Sequence, residues 1–197
     1  GGYCGDVEGA VICSVAESLA GPMIYNAVIN HNCVMESVNP SASTRKALWG
    51  TFLASAAINK HTHLPAIWGA YLTMAGPCTP MIMYEIAAQT ISTTMAGCNP
   101  FGVAPNQGVT PNYCTPMESQ FMAEVAYATT QIDRATAGML VEMLVQKYEA
   151  ALESKQYPRG KTFAELYDLE TVEPKEEYVR LHDEIWTELE ELGLPQY

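Results

Sequence analysis

The chain has 197 residues, 48% of them hydrophobic, with a mean hydropathy of −0.01, enough to build one domain around a sizeable core. Its formal net charge is −12 and its isoelectric point about 4.6, and Lys and Arg are few and scattered. That balance argues against nucleic acid and anionic membranes as partners, because no basic patch is there to meet phosphates. Residues 1–5 read as a loop. Asp6 can cap a helix from about 7 to 19, which Gly21 and Pro22 break or kink before apolar residues resume to Ile29. The apolar run 9–29 is interrupted by Glu17, Ser18, Gly21 and Pro22. A bilayer span wants ~20 uninterrupted apolar residues, so the run reads as a buried helix or helix pair. Residues 31–38 are short and β-like, and NPSAS (39–43) is turn chemistry. Ser43 or Thr44 then caps a helix over 44–59, with Leu48, Phe52, Leu53, Ala56 and Ala57 on one face. KHTHLP (60–65) is a loop, 66–73 a strand and 79–96 a helix. Residues 97–116, rich in Gly, Pro and Asn, read as one long loop, and loops of that length are usually functional or mobile. Met117 opens one long helix to about Ser154. A second loop, KQYPRGK, leads to a short helix at 162–168, and a last helix runs from about Pro174 to Leu192.

The order is therefore helix, strand, helix, strand, helix, then helices only, the grammar of βα repeats with right-handed crossovers. Most acidic residues follow position 117, as solvated faces of helices packed around a core. The expected organisation is one α/β domain, with a partial (β/α) barrel segment at 1–116 and a helical segment at 117–197. Two strands cannot close a parallel barrel, which needs eight strands and typically ~250 residues. The expectation is that an N-terminal half of the barrel lies outside this sequence.

Several groups of residues bear on chemistry. The stretch GAYLTMAGPCTPM (69–81) ends a strand in a glycine-proline corner that passes straight into a helix. Such corners hold ligands in α/β proteins. Gly76 permits the tight turn, Pro77 presets the helix start, and Cys78 and Thr79 either cap and pack or take part in a site. His31 and Glu36 bracket the first short strand; one could serve as a general base, or both are structural. His61 and His63 could share a metal on one strand face but have no third ligand at recognisable spacing, so a solvated loop is the competing reading. Glycines before the first helix could let an anion approach, but no complete dinucleotide fingerprint, P-loop or GxSxG is present. The six cysteines include no CxxC pair and read as reduced, mostly buried thiols.

Beyond these patterns, longer blocks resemble a known family. AGPCTPMIMYEIAAQTIS (75–92), GMLVEMLVQKYE (138–149), GKTFAELYDLETVEPKEEYVRLHD (160–183), LEELGL (189–194) and the opening GGYCGDVE (1–8) resemble the C-terminal half of the pyrrolysine-containing, corrinoid-dependent monomethylamine methyltransferases. The resemblance implies the C-terminal part of a (β/α)8 TIM barrel with additional helices, and a cytoplasmic homo-oligomer, a hexamer. It implies methyl transfer from a methylated amine to the Co(I) corrinoid of a cognate partner protein. No cofactor would bind this chain directly, and neither nucleic acid nor membrane is a partner. The family's pyrrolysine lies upstream of the part matching Gly1, so the catalytic residue would be outside this sequence and the chain inactive alone. Before the AGPCT turn the family carries Gln-Tyr-Tyr-Pro-Cys; an ungapped match places Ala70-Tyr71-Leu72-Thr73-Met74 there. Tyr71 matches the first tyrosine, while the substrate-facing glutamine and second tyrosine become Ala70 and Leu72. An apolar pair cannot hydrogen-bond an amine, which leaves open a paralogue with another methyl donor, or a non-catalytic assembly module. The pocket candidates are thus Ala70, Tyr71, Leu72, Gly76, Cys78, Thr79, His31 and Glu36.

Overall fold

Threonines set where the helices begin. The Thr44 side chain accepts from the Ala47 backbone N–H at 3.1 Å, and Thr79 does the same for Ile82 at 3.4 Å. Thr115 and Glu118 form a reciprocal capping box. The structure, a computed structural model, describes residues 4–36 and 40–196, and of Ala66, Trp68, Gly69 and Ala70 the backbone course. In chain order the elements are α1 (Val7–Ile24), β1 (Asn30–Asn32), α2 (Arg45–His61), β2 (Ala66–Leu72), α3 (Pro80–Met95) and β3 (Asn99–Ala104). A 3-10 turn (Pro105–Gly108) follows, then α4 (Pro116–Thr129), α5 (Arg134–Ser154), α6 (Phe163–Leu166) and α7 (Glu176–Leu192).

The strands form one parallel sheet in the order β1-β2-β3, with His31 opposite Ile67 and Tyr71 opposite Val103. Neighbours in space are neighbours in sequence, each pair joined by a helix. That is the order of consecutive barrel units. β3 corrects the expectation of two strands and of a loop throughout 97–116. Pro100 and Gly102 disguise it, and its pairing comes from β2; as the outer strand of this sheet it tolerates a proline.

Other boundaries also differ. α1 runs unbroken to Ile24, because Pro22 lies in its last turn and removes one backbone donor there. It is 18 residues long with a hydropathy of 1.3, long and apolar enough to cross a membrane. Only one face is buried, with Val7, Ala10, Ser14, Ser18 and Gly21 turned inward, while Ile12, Met23 and Ile24 are exposed. The expected helix from 117 to 154 is two helices, because Asp133 accepts from the Thr136 N–H at 2.8 Å and starts α5 afresh. The short helix is a single turn, and the last begins at Glu176 because Pro174 is held in a bridge with Tyr167. Of the six thiols only Cys98 is fully buried; Cys13 and Cys114 are exposed, which corrects the expectation of mostly buried cysteines.

α3 lies at the centre of the core. Its Ile82, Met83, Ile86 and Ile91 are fully enclosed, and burying each contributes roughly 2 kcal/mol. One hydrophobic cluster extends from Leu48 through Phe121, Leu140 and Tyr148 to Leu194.

A polar joint fastens α7 to α4. The Glu124 carboxylate meets His182 Nε2 at 2.7 Å and accepts from Trp186 Nε1 at 2.7 Å and Gln120 at 2.8 Å. Burial alone would raise the Glu124 pKa, but these partners bring it to about 2. Burial opposes the charge on His182, yet Glu124 and Asp183 raise its pKa above the usual 6.5. A raised histidine contributes stability fully below its unfolded pKa and loses it as pH climbs through the folded value. Glu124 contributes above about 4.5 and loses it as pH falls towards 2. His182→Asn should therefore flatten the decline of melting temperature above pH 6.5 and cost on the order of 1–2 kcal/mol at pH 6. An unchanged slope in thermal scans from pH 6 to 9 would refute the assignment.

Candidate functional site

The C-terminal ends of the three strands, with the loops that leave them, come together at one end of the sheet, the end where parallel barrels build their sites. Residues 73–79, between β2 and α3, form the centre of this region. Thr79 closes the corner by donating to the Gly76 carbonyl at 2.8 Å. The turn after β3 lies along it: Gln107 N–H donates to Thr73 O at 2.9 Å and Asn106 N–H to Ala75 O at 3.3 Å. The loop between α5 and α6 lies against its tip. Gly76 N–H donates to Pro158 O at 2.9 Å, Lys161 N–H to Pro77 O at 3.0 Å, and the Asn106 side chain to Arg159 O at 3.1 Å. The fit is close enough that a Cβ on Gly76 would sit 1.7 Å from the Arg159 carbonyl oxygen.

From beneath, Glu85 grips the same corner. Its carboxylate accepts from Met74 N–H at 2.9 Å, Ala75 N–H at 3.0 Å and the Ser43 hydroxyl at 2.5 Å. Ser43 is 2.7 Å from Ser41, and the Tyr148 hydroxyl donates to the Ser43 carbonyl at 2.7 Å. Glu85 is wholly buried, and burial pushes its pKa to about 7 against the pull of these donors. With no exposed surface it cannot meet a substrate directly; it positions the corner. Cys78, Asn106 and Gln107 all have left-handed backbone, with φ of 60°, 50° and 60°. Such strain in non-glycine residues persists only where surrounding contacts enforce it and concentrates at functional sites.

A family model described as Monomethylamine methyltransferase MtmB matches residues 1–194. The chain belongs to this family. It is 35% identical over 195 residues to monomethylamine methyltransferase MtmB3 of Methanosarcina barkeri, covering 98% of this chain and 42% of that protein. It is 36% identical over 195 residues to MtmB2 of Methanosarcina acetivorans, with the same coverage. The crystal structure of the M. barkeri monomethylamine methyltransferase superposes with a TM-score of 0.88 at 34% identity, covering 94% of this chain and 40% of that one. A crystal structure of a hydroxylamine MtmB complex superposes with a TM-score of 0.89 at 34% identity, with the same coverage. The chain thus spans less than half the length of these relatives, and its fold is that of the C-terminal part of a TIM barrel with additional helices.

Within this methyltransferase fold the expected residues fall as follows. Tyr71 is buried and faces the helix layer, lining a small cavity with Leu48, Thr51, Gln89 and Thr93. Strand alternation therefore places Leu72, which is half-buried, on the opposite face. The Ala70 side chain lies outside the described residues. Gly76, Cys78 and Thr79 all belong to the corner, and burial raises the Cys78 thiol pKa. His31 and Glu36 are not brought together. His31 is exposed and meets Phe101 edge-on at 5.2 Å, whereas Glu36 lines a cleft with Arg45, Lys46 and Glu149. His61 and His63 gain no third ligand: among the described residues no group of three or more His, Cys, Asp or Glu could hold a metal. The sequence reading missed Glu85, Ser43 and Asn106. Glu85 did carry a signal, being the only Asp, Glu, Lys or Arg between Lys60 and Glu118.

Proposed function

We propose that the protein to which this chain belongs transfers a methyl group from monomethylamine, or a related methylated amine, to the Co(I) corrinoid of a cognate corrinoid protein. This chain supplies one wall of the amine pocket. The observation that carries the reading is the clamped corner at the end of β2, a strand whose alternation sets Tyr71 toward the helix layer and Leu72 on the other side. The corrinoid, held by its own protein, supplies the cobalt nucleophile that accepts the methyl group. The role of this chain is to hold 73–79 rigid; of the apolar pair that the sequence match sets here, Ala70 and Leu72, the half-buried Leu72 excludes water. Those two residues offer the amine no hydrogen bond, so secondary and tertiary methylamines compete with monomethylamine at this wall. The residues at 117–197 form one domain with the barrel segment. The protein works as a cytoplasmic homo-oligomer.

The test uses the full-length protein, its reduced corrinoid protein and each methylamine in turn, following the loss of Co(I) absorbance. Turnover is expected with the full-length protein and none with residues 1–197 alone. Turnover by the 197-residue chain alone would overturn the single-wall assignment. A full-length protein inactive with every methylamine would favour the assembly module, which the apolar pair at 70 and 72 also fits.

A further inference from the structure

On the far side of the helix layer, α2, α3 and α5 enclose a groove of about 310 Å³ to which no residue of the sheet or the β2–α3 corner contributes. Its walls are Leu48, Trp49, Phe52, Met95 and Val141, and Trp49 is half exposed. The groove extends along α5 from Arg134 to Val145, about 16 Å at 1.5 Å per residue. Ala137 and Gly138 line its α5 side, and a Cβ on Gly138 would meet nothing within 4 Å. Room is therefore left here on purpose or by default, and the charges decide which ligand it suits.

Two of the chain's four arginines line this groove, in a protein of net charge −12. They are not equivalent. Arg45 is held by Glu142 and Glu149, whose two carboxylates outweigh its single charge. Arg134 stacks on Phe52, its guanidinium carbon 4.6 Å from the ring centroid, and forms no salt bridge among the described residues. The neighbouring Asp133 is occupied in capping α5 through Thr136. A guanidinium held over an aromatic ring keeps N–H groups that can meet a carboxylate. An apolar slot with a few aimed polar groups is the usual form of a small-molecule site. An α-helix about 10 Å across would not fit into it.

We propose that this groove binds a small aromatic monocarboxylate, with the ring against Trp49 and Met95 and the carboxylate on Arg134. Arg134, the groove cation with no salt bridge among the described residues, selects a monoanion, and the apolar walls select its ring. The site is independent of the methyl-transfer reading, since no residue of the β2–α3 corner lines it.

Isothermal titration of the full-length protein with 3-phenylpropanoate, and with 3-phenyl-1-propanol as its neutral counterpart, tests this. Saturable binding of the carboxylate is expected, with the alcohol about tenfold weaker. Arg134→Gln should reduce the carboxylate to the level of the alcohol. Gly138→Leu, which projects into open space and so spares the fold, should abolish both. Equal affinity for acid and alcohol, binding unaffected by Gly138→Leu, or no saturation at millimolar concentrations would each overturn the proposal. So would self-association that Gly138→Leu removes, since that result assigns the groove to a second copy of the chain.

Discussion

Replacing Glu85 with Ala is expected to destabilise the protein by about 3 kcal/mol, because it leaves the buried Met74 and Ala75 N–H groups without acceptors and opens a cavity beneath the corner. For a chain of this size that is a fall of roughly 6–12 °C in melting temperature. Gln should behave differently. Its oxygen can replace the one that accepts from both Met74 and Ala75, and its amide can donate to Ser43. Gln thus imitates the protonated acid. A carboxyl whose pKa rises from 4.5 to about 7 on folding binds its proton more tightly in the folded state. Stability therefore falls as pH rises from 4.5 to 7, by about 3 kcal/mol in all, and is level above that window. Glu85→Gln should remove this slope, cost under about 1 kcal/mol at pH 5, and exceed the parent in stability above pH 7. Denaturant melts at pH 5, 6, 7 and 8 decide the matter. If the parent and the Gln variant keep the same slope, Glu85 is not the group that titrates; if Ala lowers the melting temperature by under 2 °C, the grip on the corner is not structural.

How far the sequence discloses this architecture depends on the range of the interaction. Features written within a few residues are legible. The Thr-Pro pairs at 79–80 and 115–116 announce α3 and α4, and the small-residue corner announces the end of β2. β3 is not legible, because Asn99–Ala104 contains a proline and a glycine with left-handed φ, and only pairing with β2 makes it a strand. The break at Asp133 was written in the sequence as a capping residue, but apolar periodicity on both sides concealed it. The site divides in the same way. That Gly76, Cys78 and Thr79 share a corner was readable from the turn they build. Their clamp was not, because Gly76 meets residues 158–159 some eighty positions away, and local pattern says nothing of such contacts. Glu85 lies between these cases. A lone charge in an otherwise uncharged stretch signals a buried, satisfied carboxylate, although its partners appear only in three dimensions.

Gly76→Ala offers the sharpest test of that long-range clamp. The added methyl would lie 1.7 Å from the Arg159 carbonyl oxygen and 2.6 Å from the Asn106 amide nitrogen. The first of these is backbone, so one of the two segments has to move. Gly160 gives no slack on the other side: its φ is +70°, and it lies close against Pro77. The loop yields first, since it is held at the corner by only a few hydrogen bonds, whereas 73–79 is anchored to β2, α3 and Glu85. Losing the bonds from Gly76, Lys161 and Asn106 costs on the order of 3 kcal/mol locally. Because the opening is local, global melting should fall by less than that figure implies. Cleavage by trypsin after Arg159 is the direct readout, and it should accelerate at least tenfold. Gly138→Ala is the matched control, as its methyl meets nothing and a helical glycine-to-alanine change stabilises by roughly 0.5–1 kcal/mol. If Gly76→Ala leaves Arg159 as resistant as in the parent, the corner yields instead of the loop. The rigidity ascribed to residues 73–79, on which the proposed pocket wall depends, would then be wrong.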